Sequence, residues 1–490
     1  MSGKQHTSPE ENVKLVHVGK LQDNKTSANN ANSPEVEIQT YKRRWLMLLI
    51  FSLFSLGSAY QWIHLNIIAN VMLRYYNASL PEDSFQRKTA VDWLSMIYFL
   101  SYVVAFLPVL WVLDSKGLRV NNLLGTGLNL VGTWLKVAAV NSDLFPLLLV
   151  AQTLCGLAEV FVLPVPPRLA AVWFGPRQVS TACSFGVLAN EFGVAVGFLL
   201  PPVLVPDSPS LDTVESNLRY MMIGAAVYST VVFITMIFVF RAKPPKPPSR
   251  AQYLIESRER EWTDQSKVTF LRSLALYRNS LSRLLKNFNF LLLMISYGLN
   301  TGSFYAISTL LNAMVLSYHP GEQADAGRIG LTIVLAGVVA SLVAGFWLDK
   351  TRAFKSTSVG IYALTFLGMV AFTFTLDQPL WVIYLTAGAL GFFMTGYLPV
   401  GYQFAAEITY PEPEGSSSGL LTASAMVFGM VMTLGMRAMM NQVSIMAANI
   451  FVSATLLVGM CMTAAVRPRY FRQEAENSVR MRHAGFNGLN

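Results

Sequence analysis

Two carboxylates lie inside long apolar stretches of this chain, where an ionised side chain is costly. Glu159 interrupts the run GLAEVFVLP, and Glu191 follows Asn190 in the run LANEFGVAV. If such a run crosses a membrane, an unpaired charge facing lipid costs about 2.5–3.5 kcal/mol, so each carboxylate should face a cavity and a partner. For Glu159 that partner is a cationic substrate, a relayed proton, or the amine of Lys136 in a structural pair. For Glu191 a substrate contact, a proton relay and a hydrogen bond between the two halves of the chain are all open.

Aromatic side chains in similar apolar stretches could bind a cation. Trp62, Phe99, Phe304 and Tyr305 all fall well inside their runs, and Gln61 beside Trp62 is a weaker candidate for a substrate contact. A quaternary ammonium group cannot donate a hydrogen bond, so aromatic faces hold it, each worth ~0.5–2 kcal/mol. The alternative is that these rings face lipid or only pack against other helices.

Nothing in the sequence suggests covalent or metal chemistry beside these residues. The chain has no Gly-rich phosphate loop, no His-Glu pair at metal-ligand spacing and no set of Cys ligands. Its three cysteines, Cys155, Cys183 and Cys461, all lie in apolar runs and are odd in number, which argues against a disulfide framework. We therefore predict a protein that is not an enzyme and that needs no metal or cofactor.

Membrane-spanning helices must position the acids and the aromatic residues. The 490-residue chain is 53% hydrophobic and only 13% charged, more apolar than one soluble core can hide. Lipid cannot satisfy backbone polar groups, and the apolar runs lack the alternation of barrel strands, so the predicted fold is all-α. Twelve runs of about 20 residues can each cross the bilayer. They lie near 45–73, 92–113, 121–140, 144–172, 181–205, 218–240, 288–316, 329–348, 357–376, 379–404, 417–440 and 446–466.

Basic residues mark one side of that membrane. Lys42, Arg43 and Arg44 precede the first run, and segment 241–286 holds eleven Lys or Arg against four acids, whereas loop 206–217 has three acids and no base. Because basic loops stay in the cytoplasm, both termini should face it. The net charge of +9 is then a topology signal and does not require nucleic acid. We expect a monomer in the plasma membrane.

The chain divides into two bundles with a linker and two tails. The sequon Asn77-Ala78-Ser79 falls in the first external loop, where a glycan is expected. The Pro-rich start of the linker is followed by a basic amphipathic pattern typical of a helix on the membrane surface. The predicted parts are a disordered tail over 1–41, a six-helix bundle over 42–240, the linker over 241–286, a second six-helix bundle over 287–466 and a tail over 467–490.

The two bundles repeat each other at one offset in the sequence. The second run leads into WVLDSKGLR and the eighth into FWLDKTRAFK, so Asp114 and Asp349 lie 235 positions apart. The strings LPVPPRLAAVWF and LPVGYQFAAEIT, which begin at Leu163 and Leu398, repeat at the same offset. This offset maps six helices onto six in the same orientation, a parallel pseudo-twofold repeat about an axis normal to the membrane. Halves of this kind typically rock around a site near the midplane.

The repeated motifs resemble the signature of the major facilitator superfamily. That signature combines glycines, an acid and bases after the second helix; Asp114 and Arg119 fit it here, and Asp349 and Arg352 fit it in the second copy. The resemblance implies that these residues, with Arg168 at the end of the fourth run, fasten a gate between the halves. An ordinary turn with basic residues beside the membrane is the alternative.

Longer strings resemble one family within that superfamily. They include YKRRWLMLLIFSLFSL, DWLSMIYFLSY, SYGLNTGSFYAISTLLN, AGRIGLTIV and TYPEPEG. Over residues 42 to about 465 the chain resembles the feline leukaemia virus subgroup C receptor family, which is associated with transport of choline and ethanolamine and with heme export. The resemblance implies that Trp62 and Tyr305 cage the ammonium group, with Phe99 and Phe304 as possible further walls.

Three positions depart from the pattern of that family. The family has glutamines where this chain has Glu159, Glu191 and Met426, so two amides have become acids beside the expected substrate. We expect facilitative transport of choline or ethanolamine by alternating access. Heme transport and proton-coupled transport of another organic cation are the alternatives. Heme would need an axial ligand and bases for its propionates, yet of five histidines only His64 lies in a run.

Overall fold

Helices account for all the regular secondary structure that the structure describes. The computed structural model describes residues 39–175, 178–248, 252, 278, 280–410, 412, 414–467 and 470. The helices are α1 (Arg43–Ile63), α2 (Ala69–Tyr75), α3 (Ser84–Ala138), α4 (Phe145–Val160), α5 (Val165–Trp173), α6 (Val179–Leu204), α7 (Leu211–Phe238), α8 (Phe288–Tyr318), α9 (Gln323–Thr351), α10 (Phe354–Thr375), α11 (Leu380–Thr409), α12 (Glu414–Gln442) and α13 (Ile445–Ala465). The prediction of an all-α fold is confirmed.

The described helices make twelve membrane crossings. Ten are long and apolar enough to span a bilayer, α1 and α2 counting as one, and the bent pair α4 and α5 makes an eleventh. Helix α3 has 55 residues, about 80 Å at 1.5 Å per residue, which is too long for one crossing. It reverses direction at Gly117, whose φ of 77° lies in the left-handed region that glycine tolerates. Because α3 therefore crosses twice, the total is twelve, as the sequence predicts.

The outer surface of these helices is apolar, as a lipid environment requires. Large hydrophobic side chains such as Phe238, Phe346 and Trp381 are mostly exposed. In water such a surface would drive aggregation, whereas lipid tails solvate it. The chain is therefore a multi-pass integral membrane protein.

Helix packing in the first half recurs in the second. Helix α1 packs against α6 as α8 packs against α12, and α3 packs against α7 as α10 packs against α13. Between the halves, α3 contacts α12 and α6 contacts α9. The sequence repeat relates α3 to α9 and α6 to α12, so it maps each of these two contacts onto the other. The packing therefore has the predicted pseudo-twofold symmetry.

The end of the predicted linker is anchored to the second half. Arg283 donates to Glu412 Oε1 at 2.5 Å and to Oε2 at 3.0 Å, and Ser280 donates to Oε2 at 2.7 Å. These hydrogen bonds hold the pKa of Glu412 below its ordinary value. The predicted amphipathic helix covers about 268–287, of which 268–277 and 279 lie outside the described residues and 280–286 are helical. Residues 1–38 and nearly all of the tail over 467–490 also lie outside the described residues.

Candidate functional site

A cavity between the two halves gathers most of the predicted substrate residues. Its volume is about 80 Å³, and its walls come from α1, α3, α4 and α6 on one side and from α8, α11 and α12 on the other. The predicted residues that line it are Trp62, Phe99, Glu159, Glu191, Phe304, Tyr305 and Met426. The predicted aromatic and acidic residues, which are far apart in sequence, thus meet at one place in the fold.

Three aromatic rings form a close triangle on the wall of this cavity. The centroids of Phe99 and Tyr305 are 5.0 Å apart, those of Trp62 and Tyr305 5.5 Å, and those of Trp62 and Phe99 6.0 Å. Phe304 adjoins Tyr305 at 5.8 Å. A cation is attracted to aromatic rings within about 6 Å of their centroids. A single ammonium group beside this triangle could therefore contact all three rings.

A break in the first membrane crossing positions Trp62. Helix α1 ends at Ile63, one residue after Trp62, and a short 3₁₀ turn over Asn66–Ile68 precedes α2. The break frees the carbonyl of Gln61, which accepts a hydrogen bond from Gln152 Nε2 at 2.8 Å. Asn66 Nδ2 donates to the carbonyl of Val91 at 3.1 Å. The buried amide of Gln152 thus satisfies a carbonyl at the break, which lipid could not do, and Asn66 joins the break to α3.

A second break, in the fourth crossing, positions Glu159. Helix α4 ends at Val160, and α5 begins at Val165 after a bend of 41°. Pro164 at the start of α5 has no N–H to donate, so the prolines of LPVPPR favour a new helix start here. Glu159 in the last turn of α4 accepts a hydrogen bond on Oε1 from Asn190 Nδ2 at 2.8 Å. The other carboxylate oxygen, Oε2, is buried.

Gln61 faces away from the cavity that its neighbour Trp62 lines. Its Oε1 accepts a hydrogen bond at 2.6 Å from the fully buried amine of Lys136. Gln61 is not among the residues of the cavity wall. The structural alternative for Glu159, a pair with Lys136, is not seen in the described contacts, because Lys136 bonds Gln61 and Glu159 bonds Asn190.

The wall that carries Tyr305 depends on a close approach of two helices. A Cβ atom on Gly302 of α8 would lie 2.7 Å from the backbone nitrogen of Gly429 in α12. A Cβ atom on Gly429 would in turn lie 3.3 Å from both Phe99 and Tyr305. Glycine at both positions lets α8 and α12 touch directly. The aromatic triangle rests on that contact.

On the membrane face opposite the start of α1 and the end of α13, hydrogen bonds join the two halves. Asn312 donates to the carbonyl of Ile67 at 2.8 Å and to Asn70 Oδ1 at 3.2 Å, and Asn70 donates to Gln323 at 2.8 Å. These bonds tie the first crossing to α8 and α9. They close this face of the molecule above the cavity.

A buried ion pair reinforces the closed face. Arg437 of α12 donates to the two carboxylate oxygens of Asp92 in α3 at 2.6 and 2.7 Å. The side chains are 7% and 1% exposed, respectively. A two-point pair of this kind has a fixed geometry and resists solvent screening. Asp92 and Arg437 are absent from the residues that sequence analysis singles out.

The predicted gate residues lie near the membrane face where α1 begins and α13 ends. Asp114 and Arg119 flank the reversal at Gly117, and Arg119 donates to the carbonyl of Ile237 at 3.0 Å. Arg168 lies in α5, and Arg352 ends α9 with a φ of 51°. The side chain of Asp349 is outside the description. Whether these five residues act as a gate stays a prediction.

The predicted glycosylation site is exposed on the opposite face. Asn77 follows α2 and borders a surface pocket of about 390 Å³ that also contains Arg74, Arg87 and Lys88. Arg74 forms an ion pair with Asp207 at 2.7 Å. An exposed asparagine beside a wide pocket is accessible to a glycan.

Some residues of the cavity and of its closure are not predicted from the sequence. Asn190 stands out in the sequence only as a neighbour of Glu191, yet it lines the cavity and donates a hydrogen bond to Glu159. Tyr98, which is adjacent to Phe99, and Tyr102, one helical turn after both, also line the wall. The spacing of three residues from Phe99 to Tyr102 is a signal that could have found Tyr102.

Comparison with known proteins places this geometry in context. The sequence profile of the Major Facilitator Superfamily matches residues 46–433. The choline/ethanolamine transporter flvcr2b of Danio rerio is 46% identical over 444 residues, which cover 90% of this chain and 87% of that protein. The choline/ethanolamine transporter FLVCR2 of Homo sapiens is 44% identical over 443 residues, covering 90% and 80%. The choline/ethanolamine transporter FLVCR1 of Felis catus is 46% identical over 437 residues, covering 89% and 74%.

Solved structures with very different sequences share the fold. A D-xylose-proton symporter superposes with a TM-score of 0.64 at 11% identity, covering 87% of this chain and 98% of the symporter. A bacterial homolog of the human lysosomal transporter Spinster gives a TM-score of 0.65 at 11% identity, covering 89% and 99%. At this identity the likeness supports the twelve-helix architecture and carries no information on substrate.

Proposed function

Because this chain belongs to the major facilitator superfamily and, within it, to the family of choline/ethanolamine transporters, we propose that it carries choline or ethanolamine across a membrane. It is a transporter and not an enzyme, as the sequence predicts. The observation that carries the proposed substrate is the aromatic triangle of Trp62, Phe99 and Tyr305 on the wall of a cavity between the halves. Aromatic rings bind an ammonium group without needing a hydrogen bond from it.

The size of the cavity favours a small amine over heme. A water-sized group occupies roughly 10–15 Å³ of such a volume, so about 80 Å³ holds about six of them. Choline has about that number of non-hydrogen atoms, whereas heme has several times more. No Lys, Arg or His lines the described cavity to pair with heme propionates. The small-amine proposal therefore fits both the volume and the charge.

Alternating access follows from the arrangement of the two halves. We propose that the bundles over 42–240 and 287–466 rock about the cavity, and that the termini and linker are cytoplasmic. The face closed by Asn312 and by the Asp92–Arg437 pair is then external, and Asn77 carries a glycan there. We further propose that the protein acts as a monomer in the plasma membrane.

Radiolabelled uptake tests the proposed function directly. Cells that express the chain and cells with the empty vector are given choline, ethanolamine and heme in parallel, at pH 6 and at pH 8. We expect saturable uptake of choline or ethanolamine above the empty cells, with heme at background. Amine uptake equal to that of empty cells would contradict the proposal. Uptake that follows an imposed proton gradient would support the proton relay predicted for Glu159 and Glu191.

A further inference from the structure

A buried lysine lies on the side of the first crossing that faces away from the cavity. Lys136 of α3 is 1% exposed, and it is not among the residues that line the cavity wall. None of the ion pairs formed among the described residues includes it. A buried amine without a carboxylate partner is costly, and ionisable residues inside membrane helices usually serve a function. Because Lys136 does not reach the cavity, its function must act through a neighbouring residue.

The bonds of Lys136 point to Gln61, the residue before Trp62, as that neighbour. Lys136 Nζ donates to Gln61 Oε1 at 2.6 Å, a distance typical of charge-assisted hydrogen bonds, which are the stronger ones. The amine also contacts the thiol of Cys155 in α4, which is a weak acceptor. Among the described contacts of the amine, the bond to Gln61 is therefore the strong one.

Other polar groups hold the backbone of Gln61. Gln152 Nε2 of α4 donates to the Gln61 carbonyl at 2.8 Å and to the carbonyl of Leu94 in α3 at 2.9 Å. The Nδ1 atom of His64 lies 3.1 Å from the same Gln61 carbonyl. Helix α1 ends at Ile63, two residues after Gln61, so these bonds lie at the break in the first crossing. Contacts from α3 and α4 thus fix both the side chain and the carbonyl of Gln61.

From these contacts, and resting on the proposed function, we propose that Lys136 is a positioning residue for Trp62. Its bond to Gln61 fixes the rotation of the last turn of α1. Consecutive residues of a helix point about 100° apart, so a Gln61 side chain held away from the cavity turns the Trp62 ring towards it. Lys136, Gln61 and Gln152 all belong to the N-terminal half, so Trp62 moves with that half when the bundles rock.

Removing the amine should weaken substrate binding without slowing the conformational change. Methionine at position 136 has nearly the length of lysine but no donor. In Lys136→Met the Trp62 ring is no longer held towards the cavity. The half-saturating choline concentration should therefore rise about twofold to thirtyfold, the range expected for loss of the ring itself. The maximal uptake rate per transporter at the cell surface should stay near that of the wild type, because Lys136 contacts only its own half in the described structure.

A second substitution separates positioning from stability. Lys136→Met alone leaves Gln61 Oε1 buried and unpaired, which lowers stability. Lys136→Met combined with Gln61→Met replaces both partners by apolar side chains, so the melting temperature should recover. The bond is still absent, and the half-saturating choline concentration should stay raised. A return to the wild-type concentration in this double variant would overturn the positioning role, and the double variant also decides the question if the single variant does not reach the membrane.

Coupling to Trp62 gives an independent readout. In Trp62→Ala no ring remains to be positioned, so adding Lys136→Met should change the half-saturating choline concentration by less than about twofold. If the two residues act independently, their fold-changes multiply instead, and the proposal is overturned.

Controls distinguish the failure of this proposal from the failure of the proposed function. Asn129→Leu is the matched control, because Asn129 of α3 donates a buried hydrogen bond to Ser229 of α7 and not to α1. It should lower the melting temperature and leave the half-saturating choline concentration unchanged. Surface biotinylation counts the transporters of each variant. A wild-type value in Lys136→Met overturns the role of Lys136 while leaving choline transport intact, whereas absence of amine uptake in the wild type overturns the proposed function.

Discussion

At the scale of single residues, the aromatic triangle links the sequence to the proposed substrate. Trp62, Phe99 and Tyr305 come from three different helices, yet their ring centroids lie within 6.0 Å of each other. Their apolar contacts stabilise the wall of the cavity, and the same rings can bind an ammonium group. This double role makes Trp62 a good residue to test.

Replacing Trp62 by alanine should weaken choline transport. Loss of one cation–π contact costs ~0.5–2 kcal/mol, so the half-saturating choline concentration should rise about twofold to thirtyfold. Trp62→Phe should keep most of the affinity because it keeps an aromatic face. The matched control is Trp381→Ala, since Trp381 is 69% exposed towards lipid. Uptake curves in which Trp62→Ala and Trp381→Ala coincide would contradict an aromatic site.

Sequence reasoning finds side chains of the site more readily than it finds their partners. Trp62, Tyr305 and Glu159 stand out because each is unusual within its own apolar run. The bond from Asn190 to Glu159 and the bond from Lys136 to Gln61 join different helices. Helical periodicity gives the face on which a residue lies, but it does not give the rotation of the neighbouring helix. These pairings therefore become visible only in the folded structure.

At the scale of elements, interrupted helices present the site to the cavity. The crossing that contains Trp62 and the crossing that contains Glu159 both break just after those residues. The second break is marked by Pro164 and is readable from the sequence. The first has neither proline nor glycine, and side chains from other helices, such as Gln152, stabilise it. It could not be predicted because its cause is tertiary.

The contact between α8 and α12 should be sensitive to a single methyl group. In Gly302→Ala the new Cβ would meet the backbone of Gly429 at 2.7 Å, so α8 must move and carry Tyr305 with it. Overpacking of this kind costs about 1–3 kcal/mol, and we expect a lower melting temperature and severalfold slower choline uptake. Gly224→Ala is the matched control because no atom lies within 4 Å of its added Cβ. Equal melting temperatures and uptake in the two variants would show that the contact does not matter.

The bonds between Arg283 and Glu412 should make stability depend on pH only in acid. Because the pKa of Glu412 is below its ordinary value of 4.5 in the folded protein, its contribution is present above pH 4.5 and disappears as the pH falls through the lower folded value. The melting temperature of Glu412→Gln should therefore lie below that of the wild type at neutral pH, and the two should converge in acid. Thermal unfolding in detergent measures this. Glu82→Gln, at an exposed loop carboxylate, should match the wild type throughout.

At the scale of the whole molecule, the two halves share a fold but differ where the substrate is proposed to bind. The prolines of LPVPPR interrupt the fourth crossing, whereas Pro399 at the repeated position lies inside the continuous helix α11. Both acids of the cavity wall come from the N-terminal half, and Met426 lines the opposite side. The sequence repeat predicts the architecture, because the architecture depends on backbone hydrogen bonding and on the lipid environment. The repeat does not predict which membrane face is closed, since contacts such as Asp92 with Arg437 arise only when the halves meet.

The Asp92–Arg437 pair should control access to the cavity from the closed face. Removing one partner leaves a buried charge unpaired, at a cost of about 3–5 kcal/mol to the closed state, so Arg437→Gln should favour opening. A cysteine placed on the wall by Val194→Cys, with Cys183 and Cys461 replaced by alanine, reports this opening. An impermeant thiol reagent added outside intact cells should label it severalfold faster in Arg437→Gln than with the pair intact. The exchanged pair Asp92→Arg with Arg437→Asp can re-form the ion pair, and its labelling should slow again. If labelling is equally slow in all three, the pair does not hold this face closed, and the other bonds around Asn312 must carry the closure.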